Sequence, residues 1–218
     1  MTAASAEGQP PLDCGLCDRL AAFRSDNRAK YPDFYNNPVR SFGDDDARLL
    51  IVGLAPGLRG ANRTGRPFTG DYAGDLLYPT LVQFGFAAGT YGADPDDGLT
   101  LRDCRITNAV RCVPPENKPT GPEINTCRPF LSAEMQAMPR MTAVLALGLI
   151  AHNAVLATMG EKRSAYKFEH GAQHALASGV TLFDSYHCSR YNVNTRRLTP
   201  EMFHDVVGAI RSFLASRH

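Results

Sequence analysis

Leu49-Leu50-Ile51-Val52-Gly53-Leu54-Ala55-Pro56-Gly57 is the stretch on which the fold turns. Its first four residues form an unbroken apolar run, so a strand built from them has both faces covered rather than one face in water. Two further runs share the pattern, Ala143-Val144-Leu145-Ala146-Leu147 and Val180-Thr181-Leu182-Phe183, and a fourth strand is expected near Arg105-Ile106-Thr107-Asn108. Between them the apolar period changes to about 3.6, through Leu76, Leu77, Thr80, Leu81 and Phe84, and again through Phe203, Val206, Val207, Ile210, Phe213 and Leu214. The second helix has a readable start, with Thr199 as N-cap, Pro200 at the first position and Glu201 in the first turn. Pro122 and Glu123 open a similar helix leading into Cys127. Strands alternating with helices predict a three-layer α/β/α, doubly wound domain with a mainly parallel sheet. No repeat or dividing linker interrupts the chain, so 1–218 reads as one domain.

Acids and bases nearly cancel, giving a formal net charge of +1, so no global field attracts polyanions. Local clusters do exist: Arg59, Arg63 and Arg66 in one loop, Arg111 and Lys118 in a second, Arg190, Arg196 and Arg197 in a third. Three loops with the same bias point to a shared anionic ligand. Met1 to Pro11 has neither a basic start nor an apolar run and does not read as a signal peptide, and no stretch is apolar enough to span a bilayer. A cytoplasmic location is expected, where disulfides are rare.

The thiols follow from that expectation. Cys14 and Cys17 form a C-x2-C pair, and Cys112 and Cys127 form a second pair flanking the proline-rich Val113-Pro114-Pro115-Glu116-Asn117-Lys118-Pro119. Four soft thiolates suit tetrahedral zinc or a [4Fe–4S] cluster, whereas the plain alternative is reduced cysteine packed as a small hydrophobe. Cys104 and Cys188 are assigned no role.

In doubly wound sheets, ligands gather beyond the carboxyl ends of the strands, so the loops after the strands are the candidates for chemistry. Gly53 to Asp71 is rich in glycine and arginine but is neither a Walker A loop nor a G-x-G-x-x-G turn. Phe68, alone in a polar loop, fits either stacking on a flat base or core packing. Asp71 stands where a helix begins, as an N-cap that can also face a cleft. Asn108, just past a strand end, offers a paired donor and acceptor to the edge of a base, or else satisfies a turn. His187, in Ser185-Tyr186-His187-Cys188-Ser189-Arg190-Tyr191-Asn192, is placed to donate to an oxygen that gains negative charge, or else faces solvent.

Taken together, Gly53-Leu54-Ala55-Pro56 with Asn62-Arg63-Thr64-Gly65-Arg66 and Phe68-Thr69-Gly70-Asp71, then Ile106-Thr107-Asn108-Ala109-Val110-Arg111-Cys112-Val113-Pro114-Pro115, then His187-Cys188-Ser189-Arg190-Tyr191-Asn192, resemble the family 5 uracil-DNA glycosylases. These are iron–sulfur members of the uracil-DNA glycosylase superfamily. The resemblance implies a short central parallel sheet and a [4Fe–4S] cluster, rather than zinc, on Cys14, Cys17, Cys112 and Cys127. It implies a monomeric, monofunctional DNA repair enzyme acting on DNA that contains uracil, hypoxanthine or xanthine and leaving an abasic site. On this basis Asp71, Asn108 and His187 are expected to be catalytic. Gly53, Ala55 and Phe68 are expected to contact the base, and Arg63, Arg66, Arg190 and Arg196 to contact DNA. The related family 4 enzymes carry an acidic residue where this chain has Leu54, which cannot activate water; Asp71 is the expected substitute. A rival reading is an iron–sulfur or zinc module that binds nucleic acid or senses redox state without catalysis.

Overall fold

The computed structural model describes residues 8–217. The first seven residues of the Met1–Pro11 stretch, expected not to be a signal peptide, lie outside the described residues. Helix α1 (Asp18–Lys30) leads into an edge strand β1 (Phe42–Gly43) and the first core strand β2 (Leu49–Gly53). The glycine-rich loop carries a single turn α2 (Ala61–Thr64) and enters α3 (Tyr72–Gln83). A small hairpin, β3 (Ala87–Ala88) and β4 (Thr100–Leu101), precedes β5 (Cys104–Asn108) and α4 (Gly121–Gln136). Then come β6 (Ala143–Leu147), α5 (Leu149–Thr158), β7 (Gln173–Ala175), β8 (Thr181–Ser185), α6 (Arg190–Asn194) and α7 (Pro200–Ala215).

The main sheet has the order β1-β5-β2-β6-β8-β7; its four inner strands are parallel, and the two edges, β1 and β7, are antiparallel. All residues of β2, β6 and β8 are buried, as befits strands covered on both faces. Alternation sends Leu49 and Ile51 to one face, where they join Leu77, Leu81, Phe203, Val207 and Ile210 from α3 and α7. Leu50 and Val52 go to the other face, against Leu131, Met135, Ala151 and Val155 from α4 and α5. The result is the expected three-layer α/β/α domain. Each such side chain withdrawn from water stabilises the fold by about 1.5–3 kcal/mol before the entropy of ordering is counted.

Thr199 caps α7 as expected, its hydroxyl accepting from the Met202 amide at 3.2 Å. Helix α4 begins one residue before Pro122, at Gly121. Its cap is Thr120, in a reciprocal box with Glu123 whose carboxylate also grips Arg19 at 2.7 Å, so α1 is tied to α4. The edge strands and the β3–β4 hairpin escape sequence reading because each is two or three residues long and only partly buried.

Register places the site. Gly53 pairs with Asn108 and Leu147 with Ser185, so the four parallel strands end along one edge and deliver their loops there. Asp184, fully buried in β8, splits its carboxylate between His152 of α5 (Oδ1 to Nδ1, 2.7 Å) and His174 of β7 (Oδ2 to Nε2, 3.1 Å). Both neighbours are thereby fastened to the strand that leads into His187. Among the described residues no helix is long and apolar enough to cross a membrane.

Candidate active site

Gly53 closes β2 beneath a pocket of about 570 Å³ at the carboxyl edge of the sheet. A side chain there has no room: a Cβ would stand 2.4 Å from Asn108 Oδ1 and 2.5 Å from Phe68 Cζ. The strand end therefore lets an amide and an aromatic ring meet over its backbone. Phe68 reaches this point from a left-handed backbone (φ +52°), and its ring centroid lies 5.9 Å from that of His187. Asn108 is only 3 % exposed, and what it exposes lines this pocket. An amide at a pocket wall offers both a donor and an acceptor to a ligand.

His187 lies just beyond β8, its Cβ 3.6 Å from where a Cβ on Gly148 would sit. Loss of water around the ring lowers its pKa to about 4, so the imidazole is neutral at physiological pH and keeps one N–H to donate. Behind it, Asn192 Nδ2 donates to the His187 carbonyl at 2.8 Å and Ser189 caps α6, which fixes the turn.

Asp71 does cap α3, its Oδ1 accepting from the Ala73 amide at 3.1 Å, and it also lines the pocket. A Cβ on Gly60 would fall 2.3 Å from Asp71 Oδ2, so the glycine loop is wrapped directly against this carboxylate. Burial raises its pKa, against the backbone hydrogen bonds from Ala73 and Gly74. Leu54, Ala55, Arg59, Tyr72, Asn117, Ser189 and Arg190 complete the wall. Of these, Asn117 and Tyr72 carry no sequence signal: each is an ordinary polar or aromatic residue near a turn until the fold brings it to the rim.

The pattern of residues on this edge has counterparts. The sequence profile of the Uracil DNA glycosylase superfamily matches residues 40–211. The type-5 uracil-DNA glycosylase of Thermus thermophilus is 45% identical over 199 residues, covering 89% of this chain and 90% of that protein. This chain belongs to the type-5 uracil-DNA glycosylase family. The type-5 uracil-DNA glycosylase of Pyrobaculum aerophilum is 41% identical over 200 residues, covering 90% and 87%. A type-4 uracil-DNA glycosylase, that of Sulfurisphaera tokodaii, is 30% identical over 183 residues, covering 81% and 76%.

Within this type-5 site the arginines divide into two groups. Arg63, Arg190 and Arg196 are exposed; Arg190 lines the pocket, its guanidinium 5.4 Å from the centre of the Tyr72 ring. Arg66, expected to contact DNA, does not face it. Its guanidinium is 5 % exposed and bound through both terminal nitrogens to Asp97, at 2.8 and 2.7 Å. Arg111, counted from sequence among the anion-binding arginines, is likewise internal, paired with Glu134 and hydrogen-bonded to Gln9 and Ser41. A guanidinium that already has a buried carboxylate has no reason to leave it for a phosphate.

The four cysteines singled out from sequence share one wall of the fold. Cys14, Cys17, Cys112 and Cys127 line one small apolar hollow with Leu20, Val110 and Phe130. Burial, with the neighbouring thiols adding to it, pushes Cys17 up to about 11, and burial pushes Cys112 up to about 12. Cys104 and Cys188 sit elsewhere, fully buried in the core beneath the sheet.

Proposed function

We infer that the chain is a uracil-DNA glycosylase, hydrolysing the N-glycosidic bond of uracil in DNA. Family membership and one observation support this: Phe68, the Asn108 amide and a neutral His187 ring line a single pocket large enough for a base swung out of the helix. Phe68 would take the extruded base on its ring, and Asn108 would pair with its polar edge while Gly53 and Ala55 leave room for it. As the C1′–N bond lengthens, the sugar gains positive charge and the base becomes an anion. His187 would donate to the base oxygen as that charge grows. Asp71 would position water or face the cationic sugar. Arg63, Arg190 and Arg196 would hold the phosphates. No lysine adduct is needed, so the product is an abasic site in an intact strand, and one chain's own loops complete the pocket, as suits a monomer.

The wall near the base carries Leu54 and Ala55 rather than an acid. We therefore propose that hypoxanthine and xanthine are also removed. The test is a labelled duplex carrying one uracil, with hypoxanthine in a parallel duplex, each treated with alkali after incubation. Alkali-labile scission at the modified base is expected, and intact uracil duplex would leave only a binding module.

We further propose that Cys14, Cys17, Cys112 and Cys127 hold a [4Fe–4S] cluster. Arg24 supports the fit. It is 4 % exposed, its Nη1 donates to Cys112 Sγ at 3.3 Å and its Nη2 to the Cys14 carbonyl at 2.8 Å, and its Nε has no partner. No carboxylate among the described residues neutralises it by an ion pair, so ligating thiolates are the natural counter-charge. Such a group would supply a covalent tie between the α1 arm and α4; the hydrolysis itself requires no electron. Purified protein is expected to be brown, with broad visible absorbance. Cys112→Ala should abolish that absorbance and lower the melting temperature by about 10 °C, since ligand binding here is folding energy. A colourless, zinc-loaded protein would refute the cluster.

A further inference from the structure

Phe68 presents its ring to the pocket from a backbone conformation (φ +52°) that a non-glycine residue keeps only where its surroundings over-determine it. Those surroundings come from outside the pocket. Tyr78 Oη donates to the Pro67 carbonyl at 2.5 Å. Tyr91 Oη donates to the Phe68 carbonyl at 3.3 Å and accepts from the Gly70 amide at 3.2 Å, so one hydroxyl spans the strained residue. Gly74 makes that approach feasible: a Cβ there would lie 2.0 Å from the Phe68 carbonyl oxygen and 2.2 Å from Tyr91 Oη.

Tyr91 is itself keyed in place. Its ring stacks on Tyr78 at 4.8 Å, and the Arg66 guanidinium lies 5.9 and 5.3 Å from the two ring centres. Asp97 clamps Arg66 with both carboxylate oxygens and also accepts from the amides of Gly92 at 2.8 Å and Leu99 at 3.0 Å. Asp97 and Tyr91 belong to the excursion between β3 and β4, none of whose residues lines the pocket. The excursion meets the glycine-rich loop at residues 66–70.

We propose that Tyr91, locked by the buried Arg66–Asp97 pair, is a positioning residue that sets the plane and depth of the Phe68 ring. The β3–β4 excursion is thus a brace for the base pocket, and this is the role the structure gives to Arg66. The inference rests on the stacking role of Phe68 stated above. Without the hydroxyl, the Phe68 peptide is free to relax toward an ordinary φ, which rotates the ring away from the base; misplacements of about 1 Å can cost about 10²-fold in rate.

Tyr91→Phe tests this, because it keeps the stacked ring and deletes only the hydroxyl. Four quantities are read: the single-turnover rate constant of uracil release, its amplitude, the Kd for an abasic-site duplex, and hydrogen exchange at the Gly70 amide. The rate constant is expected to fall about tenfold at full amplitude, with Kd within about twofold and Gly70 exchange about tenfold faster, the scale of one lost hydrogen bond. A merely structural role would lower the amplitude, as part of the population unfolds, and leave the rate constant alone. That result, a wild-type rate constant or unchanged Gly70 exchange would overturn the proposal. If wild-type protein releases no uracil, the functional reading fails instead, and Gly70 exchange still decides whether the brace exists.

Discussion

His187→Ala is expected to slow single-turnover release of uracil by about 10²–10³-fold, the usual cost of removing one preorganised donor to a developing anion. The loss should fall on the rate constant and not on affinity for DNA, because the neutral His187 ring carries no charge to hold phosphate and the exposed arginines are left untouched. Its protonation state sharpens the prediction. Desolvation alone lowers the imidazole pKa to about 4, so the donor is a neutral N–H throughout the range where DNA repair operates. Activity carried by this group should therefore show no titration near pH 6.5, where an ordinary histidine would change state. The same shift has a stability signature. In the unfolded chain His187 takes up its proton as pH falls through about 6.5, whereas the folded protein resists until about 4, so unfolding gains protons in that window and stability drops with falling pH. Above pH 6.5 the term is fully present and flat. Wild type should lose stability relative to His187→Ala between pH 6.5 and 4 in denaturant titrations. A variant with full activity would remove His187 from the mechanism, and parallel pH curves would show that the ring is not desolvated.

How much of this was legible beforehand depends on whether the signal was local. The runs at Leu49, Ala143 and Val180 announce covered strands by composition alone, and the parallel order then forces Gly53, Asn108 and Ser185 onto one edge. The pocket was thus readable as soon as the strands were. Arg66 was not, because its meaning depends on Asp97, 31 positions along the chain in an excursion bounded by two-residue strands. A run of arginines in a glycine loop looks the same whether the guanidinium meets phosphate or a buried carboxylate. Arg111 misleads for the same reason, since Glu134 lies 23 residues away on the face of α4 turned inward. Asp71 shows the opposite case: cap and pocket wall were both readable from its place before α3, and both hold.

Gly53→Ala is expected to lower the rate of uracil release by at least about 10²-fold. The reason is steric and specific. The new Cβ would collide with Asn108 Oδ1 at 2.4 Å and Phe68 Cζ at 2.5 Å, and neither can simply swing aside. Asn108 is anchored on β5, paired in register with Gly53 itself, and Phe68 is pinned through its carbonyl to Tyr91. Forcing the two apart separates the stacking surface from the edge-reading amide, which act on the same base. Overpacking of this kind costs about 1–3 kcal/mol of stability, so the protein should still fold and bind duplex through its exposed arginines. Gly121→Ala is the matched control: no atom comes within 4 Å of its Cβ, and both activity and stability should be unchanged or slightly improved. The decisive measurement is a double-mutant cycle. If the methyl acts by displacing the Phe68 ring, then Gly53→Ala combined with Phe68→Ala should be scarcely slower than Phe68→Ala alone, because the ring it displaces is already gone. Losses that simply multiply would mean that the collision with Asn108, and not the ring, limits the reaction.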